Sequence, residues 1–335
     1  MAQRSQEGFI RETWRQFRRD KLAVAGLVIA ACIAVIALAA PFIAGDVPIY
    51  MVKAGKSYWL PNIITYSDLK KENFYANADR WKPGPDERAI IPPLPFGPER
   101  QDLLSSLQPP SRLHPLGTDD RGRDVLSRMI WGARVSLSVG WVAVGIAVII
   151  GVILGALAGY YGGKVDAAVL RAIEITLIVP TFFLILAVMA LLPPSILLIM
   201  LVLGITSWPS DARLVRGEFL KQKQQDYVAA ARATGLGDLR IIFRHILPNA
   251  ISPVFVSAAF GIAGAIVTES ALSFLGFGVP PPTASWGELL KQAQQNWRTA
   301  WWLVTFPGLA IFITVTAFNL VGQGLRDALD PRMRE

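Results

Sequence analysis

The sequence predicts an all-α polytopic membrane protein with six transmembrane helices and a long external loop after the first of them, on three observations. Hydrophobic residues make up 53% of the 335 residues and charged residues only 17%, less charge than a soluble domain carries. Apolar runs long enough to span a bilayer recur along the chain, separated by short turns and by two longer polar stretches. Basic residues gather at the ends of those runs, so the net charge of +8 follows from the positive-inside bias and does not point to nucleic acid. The lone cysteine, Cys32, lies inside an apolar run, which excludes a disulfide framework. His114 and His245 stand far apart without cysteine partners, so no metal site is expected.

Residues 1–21 carry six Lys or Arg against three acids, and Ile10, Trp14 and Phe17 fall at i, i+4 and i+7. This stripe beside Arg11, Arg15, Arg18 and Arg19 predicts an amphipathic helix lying on the inner leaflet, with a disordered basic tail as the alternative. In the apolar run from Leu22 to about Ile43, Ala37-Leu38-Ala39 resembles a signal-peptide cleavage site. The run exceeds the ~7–15 apolar residues of a signal core, so it is read as an uncleaved first helix over 22–44. From Asp46 to about Trp131 the chain turns rich in Pro, Asn, Asp, Tyr and Lys. A loop of this length is exempt from the charge rule, which permits an external place for 45–131. Within it, Ile49 to Tyr66 suits short strands, and the proline-rich Ile91 to Pro98 resembles a linker. Ala54-Gly55-Lys56-Ser57 has the end of a phosphate-binding loop, but Tyr50 stands where that motif needs its first glycine, so no nucleotide site is expected.

Five further apolar segments follow. Leu137 to Ala158 holds Gly151 and Gly155 at the spacing that lets helices pack closely, and the run from about Ala167 to Leu192 is expected to kink at Pro180. A fourth span starts over Ile196 to about Trp208, anchored at its far end by Arg213 and Arg216. The last two are Ala250 to about Phe277 and Trp302 to Val321. Six crossings put both termini on one side, and the basic amino end with Arg326, Arg332 and Arg334 marks that side as cytoplasmic. The loop over 279–299 has just Lys291 and Arg298, while Trp286, Trp297, Trp301 and Trp302 fit an interfacial aromatic belt.

In the polar insert between the fourth and fifth runs, Tyr227 to Thr234 can form two helical turns in which Ala229, Ala230 and Ala231 leave the backbone approachable. Gly235 fits the left-handed position that ends such a helix. Asp238 can cap a second helix in which Leu239, Ile242, Phe243 and Ile246 share an apolar face, and Pro248 is expected to stop it. An ordinary helix-turn-helix connector is the plainer alternative. The alanine pair Ala230-Ala231, Gly235 four residues on, and Pro248, preceded by Leu247, thirteen residues later, resemble the cytoplasmic loop of ABC-importer permeases. The resemblance implies that 226–248 docks into a groove on an ATPase subunit, through Tyr227, Ala229, Ala230, Ala231, Thr234, Gly235, Leu236, Leu247 and Pro248. The family's usual first residue is Glu where this chain has Ala229, so no specific ion pair is expected there.

The stretch His114 to Asp124, with Leu126-Ser127-Arg128 and Gly132 to Leu137, is similar to the start of the transport domain in the dipeptide, oligopeptide and nickel class, in its second, C-type subunit. Adjoining Asp and Arg residues there can pair and stiffen the loop around turns at Gly117 and Gly122, or form a polar turn of screened surface charges. Thr268 to Gly278 and Gly324 to Pro331 carry the same resemblance. Two acids need a reading. Glu174, one turn beyond Arg171, suits an ion pair at the membrane edge. Glu269 has no nearby base in sequence, so Glu269, Ser270, Ser273 and Phe274 are candidates for the translocation path or outer gate, against a hydrogen-bonded structural acid.

Together these readings divide the chain into an interfacial helix over 1–21, a first transmembrane helix over 22–44, an external region over 45–131, a five-helix core over 132–323 and a cytoplasmic tail over 324–335. The resemblance implies a type I ABC-importer fold and a multi-pass permease subunit of the bacterial inner membrane. It also implies an ATP-driven, binding-protein-dependent system, for peptides with nickel as the alternative. The expected partners are a second homologous permease, two ATPase subunits, an external substrate-binding protein and the lipid bilayer. The chain itself is expected to be no enzyme and to bind no cofactor, with ATP and Mg held by the ATPases. A secondary transporter or channel is the competing reading; it predicts several buried charges for ion coupling and often an inverted repeat. A structural membrane scaffold is a third.

Overall fold

The computed structural model describes residues 11–53, 55–69, 74, 84 and 87–330, so Ile10, Ala54, Arg332 and Arg334 lie outside the described residues. Among the described residues five helices are long and apolar enough to cross a membrane: α1 (Lys21–Ile43), α2 (Val125–Tyr161), α5 (Ile196–Gln222), α9 (Ser252–Phe274) and α11 (Trp302–Leu329). A sixth crossing requires α3 (Gly163–Ile178) and α4 (Thr181–Leu191) together, and these are bent by 70° at the break between them. The expected kink at Pro180 is therefore a break. A proline pushes the residue before it out of the α region, and Val179 is extended at φ −93°, ψ 117°. Helix α2 begins six residues before the expected 131 boundary, and α11 runs through Leu329, so 324–329 continues a helix.

Two compact units make up the chain, Met1–Ala30 with Val139–Thr268 and Ile313–Glu335, and Ala31–Ser138 with Glu269–Phe312. In the first, residues 11–17 are helical, but the stripe expected on the lipid surface turns partly inward. Phe17 is buried against Ala23 and Ala328, with Trp14 stacked on its ring at 5.8 Å. Asp20 caps α1, its carboxylate accepting from the Leu22 and Ala23 N–H groups at 2.9 and 3.2 Å. Gly151, Gly155 and Gly159 line the face of α2 that meets α5. A Cβ at these positions would stand 2.6 Å from Asp211 Cβ, 2.5 Å from the Ala212 carbonyl oxygen and 2.5 Å from Phe219 Cβ. Bare backbone there lets the two helices approach along three turns and gain dispersion contacts that any side chain would block. Arg216 on α5 makes a bidentate pair with Asp166 on α3 at 2.5 and 2.7 Å.

In the second unit, the segment after α1 forms an antiparallel sheet of order β2-β1-β3, from β1 (Tyr50–Lys53), β2 (Lys56–Trp59) and β3 (Arg88–Ile90). Gly55, at φ +74°, turns the hairpin, and Lys56 pairs with Asp68 at 2.7 Å, so Gly55, Lys56 and Ser57, which mimic the end of a phosphate loop, belong to a hairpin. Met51, Tyr58, Leu69 and Phe74 form its core. The expected proline-rich linker is packed instead: Phe96 is buried and Leu94 bridges to Ala44. The aromatic belt divides. Trp297 and Trp301 are exposed, whereas Trp286 and Trp302 are buried with their indole N–H groups donating to Met129 O and Thr118 O at 3.0 Å.

Candidate functional site

The insert expected to dock a partner is built on an apolar floor. Helix α6 (Asp226–Ala233) buries Val228 and Ala231, three residues apart, and leaves Ala229, Ala230, Ala233 and Thr234 exposed. Ala231, one of the expected docking residues, thus belongs to the floor. Gly235 sits at φ +75°, where an L side chain is strained, and ends the helix. Burial raises the Tyr227 phenol above its ordinary range, and its hydroxyl donates to Gln222 Oε1 at 2.9 Å. Leu236 is half-buried against the same floor.

The second helix departs from expectation in three ways. Gly237 is its N-cap, and the Asp238 carboxylate accepts instead from the Tyr160 hydroxyl at 2.6 Å. Pro248 does not end it. The chain runs through α7 (Asp238–Ile241), a turn of π-helix (Ile242–Ile246) and α8 (Leu247–Ala250). Pro248 cannot donate to the carbonyl four residues back, and the widened turn, in which the Leu247 N–H reaches Ile242 O, carries the helix past it. That widening changes which residues share a face: Ile241, Ile242 and Ile246 are buried, while Leu239 is 65% and Phe243 60% exposed.

Tyr160, at the end of α2, ties this insert to the helices. Besides the bond to Asp238, its carbonyl accepts from Lys223 Nζ at 2.5 Å, and Arg232 and Lys223 lie 5.3 and 5.8 Å from its ring centroid. Phe219 on α5 and Val228 on α6 are buried in the same cluster. Sequence reading missed Tyr160 because a Tyr-Tyr-Gly-Gly run reads as a turn, and no spacing links residue 160 to residue 238. It also missed Asp211, which lies between the apolar start of the fourth span and its anchoring Arg213 and Arg216. Helix α5 continues, and Asp211 is buried within it, accepting from Ser257 Oγ at 2.6 Å.

Glu269 is fully buried, enclosed by hydroxyls within its own unit. Ser273 Oγ donates to it at 2.8 Å, Ser136 Oγ at 3.4 Å and Ser270 Oγ at 3.5 Å. Ser136 also accepts from the Trp286 N–H at 3.4 Å, so the carboxylate links α2 and α9 to the start of α10 (Trp286–Asn296). Of the four candidate path residues, Ser270 and Ser273 are buried too, and Phe274 alone is open, at 40%.

The stretch ahead of α2 is no screened surface turn. Arg123 holds Asp119 at 2.7 Å, Arg128 reaches Asp119 at 3.4 Å and Glu288 at 2.5 Å, and all but Glu288 are at most 1% exposed as side chains. His114 Nδ1 lies 2.8 Å from Asp124 Oδ2. Gly117 and Gly122 take positive φ of 78° and 70° at the two turns. Arg171 and Glu174 pair at 2.7 Å on an open surface.

Comparison with known proteins agrees with this architecture. Residues 151–335 match the family described as the binding-protein-dependent transport system inner membrane component. Residues 8–54 match the N-terminal transmembrane domain of oligopeptide transport permease C. The dipeptide transport system permease protein DppC of Alkalihalophilus pseudofirmus is 36% identical over 324 residues, covering 97% of this chain and 90% of that protein. DppC of Escherichia coli strain K12 is 45% identical over 247 residues, 72% of this chain and 82% of that one. With bilayer-length helices, a packed insert between α5 and α9, and matches over both its ends, the chain belongs to the family of inner membrane components of binding-protein-dependent transport systems.

Proposed function

We propose that the chain is one of two permeases lining the path of an ATP-driven peptide importer, that a binding protein delivers the peptide outside, and that two ATPases dock inside. The relatives named as dipeptide permeases support peptides over nickel. The observation that carries the coupling is the two-faced α6. Its Val228 and Ala231 are locked into a core with Phe219 and Tyr160, while Ala229, Ala230 and Thr234 face outward with little side chain to obstruct a partner. Close-packed interiors transmit displacement, so a push on α6 passes through Tyr160 to α2 and through Phe219 to α5. The ATPases bind ATP and Mg, and this chain supplies the lever. With the insert cytoplasmic, both termini are cytoplasmic and the β1–β3 sheet is external. Phe274, open at 40%, is the residue we assign to the path; Glu269 holds the helices behind it.

The test is ATP-driven dipeptide uptake by the reconstituted transporter carrying Gly235→Pro. Proline needs φ near −65° and Gly235 has +75°, so the turn cannot form. Uptake should be lost while membrane insertion persists. Normal uptake by this variant, or uptake driven by an ion gradient without the ATPases, would overturn the coupling.

A further inference from the structure

The second unit holds a cavity of about 500 Å³ whose lining includes neither the Glu269 cluster nor the buried charges around Arg128. Pro41 and Ala44 at the end of α1, Asn62 beyond the hairpin, Pro98 and Glu99, and the first turns of α2 with Trp131 and Arg134 line it. Its volume falls in the range of small-molecule sites.

Its charges are unspent. Glu99 and Arg134 are both exposed, and neither has an ion-pair or hydrogen-bond partner among the described residues. Arg134 lies over the Trp131 ring at 5.9 Å, an arrangement that leaves its in-plane N–H groups available to an anion. The other polar groups of the wall are mostly occupied: Trp131 Nε1 donates to Ala44 O at 2.8 Å, Ser138 Oγ to Val135 O at 2.7 Å, and Asp46 faces Arg100 at 3.5 Å. Asp46 and Asn62 are the exceptions: Asp46 Oδ1, ion-paired with Arg100, makes no hydrogen bond among the described residues, and Asn62 is half open. Its Nδ2 donates to Pro41 O at 2.7 Å, but its Oδ1 is buried without a donor. A buried acceptor left open costs free energy that a ligand N–H would recover.

With Asp46 already facing Arg100, the guanidinium of Arg134, the carboxylate of Glu99 and the carboxamide oxygen of Asn62 are left around apolar walls, and they do not suit a simple anion, which Glu99 would repel, nor a simple cation, which Arg134 would repel. We propose that this cavity binds a small zwitterion, its anionic end on Arg134 and its primary ammonium on Glu99 and Asn62. A short peptide and an aminophospholipid headgroup share that chemistry. The inference is independent of coupling to an ATPase, because binding can be read on this chain alone.

The experiment places the full chain in phosphatidylglycerol nanodiscs, which offer no ammonium, and measures two probes. Ala-Ala is titrated by calorimetry, and phosphatidylethanolamine retention is read by native mass spectrometry. At least one should bind, and Arg134→Gln and Glu99→Gln should each weaken it about tenfold or more, as expected for losing a charge-assisted hydrogen bond. Both residues are exposed and unpaired, so the variants should fold. If Ala-Ala is the ligand, its N-acetyl form should bind wild-type protein as weakly as Ala-Ala binds the Glu99→Gln variant. Binding of Ala-Ala alone assigns the site to a solute, and retention of the lipid alone assigns it to the membrane. Binding of neither, or binding that survives both substitutions, overturns the proposal. Loss of ATP-driven uptake in Gly235→Pro would bear on the lever and leave this cavity untouched.

Discussion

Two polar inserts border the membrane helices of this chain, 114–128 and 226–250, and they are held by opposite means. The first turns its charges inward: Asp119, Arg123 and Arg128 are almost wholly buried and pair with one another and with Glu288. The second turns its apolar residues inward, with Val228, Ile241 and Ile246 buried, and leaves Arg232, Arg240 and Arg244 outside among exposed alanines. The difference teaches which insert is free to meet a partner. A buried charge network is committed to its own partners, because withdrawing any one leaves a charge in a dry interior. A half-apolar helix spends only one face on its own chain and keeps the other.

The sharpest way to break this comparison is Glu288→Ala, which leaves buried Arg128 its bond to Pro98 O at 2.8 Å and, among the described residues, one carboxylate, Asp119, at 3.4 Å. It should cost about 3–5 kcal/mol. Thermal unfolding of the detergent-solubilised chain would show it, and an unchanged Tm would mean that the buried pairs do not hold the first insert. In the second insert the corresponding stress is volume. Ala231→Leu overpacks the floor beneath α6 and should cost about 1–3 kcal/mol, whereas the same change at exposed Ala230 should leave the Tm where it is. Equal effects at the two positions would deny the two-faced reading of α6.

A smaller effect separates buried charge from charge itself. Burial holds the Asp46 carboxyl above its ordinary range, against the pull of the Gly97 N–H and of Arg100. The folded chain therefore keeps a proton there that the unfolded chain releases. This contribution to stability is full below the ordinary aspartate range, near pH ~4, and is lost as pH rises through the raised value. Asp46→Asn should flatten that part of the Tm-against-pH curve, and a curve of unchanged slope would remove Asp46 from the account. The least effect is expected at Arg171→Ala. Its pair with Glu174 is 75% and 57% exposed, and the change should fall within about 0.5 kcal/mol.

Much of this was legible before any coordinates. The apolar runs located the helices because a bilayer demands length and hydrophobicity that few other structures show. Gly235 was legible as a left-handed turn, and the Gly151 and Gly155 spacing as a helix contact, since both depend on residue type at short range. What failed was anything set by a neighbour distant in sequence. Trp286 and Trp302 looked like interfacial tryptophans and proved to be core residues, each with a carbonyl for its indole N–H. Leu239 and Phe243 were assigned to the buried face by a 3.6-residue period that the π turn at 242–246 interrupts.

By itself, then, the order of residues determined where helices of bilayer length and hydropathy lie, where the chain turns, and that a small-residue helix stands between the fourth and fifth long runs. Helix propensity, proline, glycine and hydropathy are local properties, and they act whatever lies nearby. Only the tertiary structure decided that Tyr160 clamps Asp238 across 78 positions, and that Arg128 closes on Glu288 across 160. It also left Glu99 and Arg134 lining one cavity with no ion-pair or hydrogen-bond partner among the described residues. A charge or a hydroxyl takes its meaning from what desolvates it and what answers it, and that is fixed by packing in three dimensions.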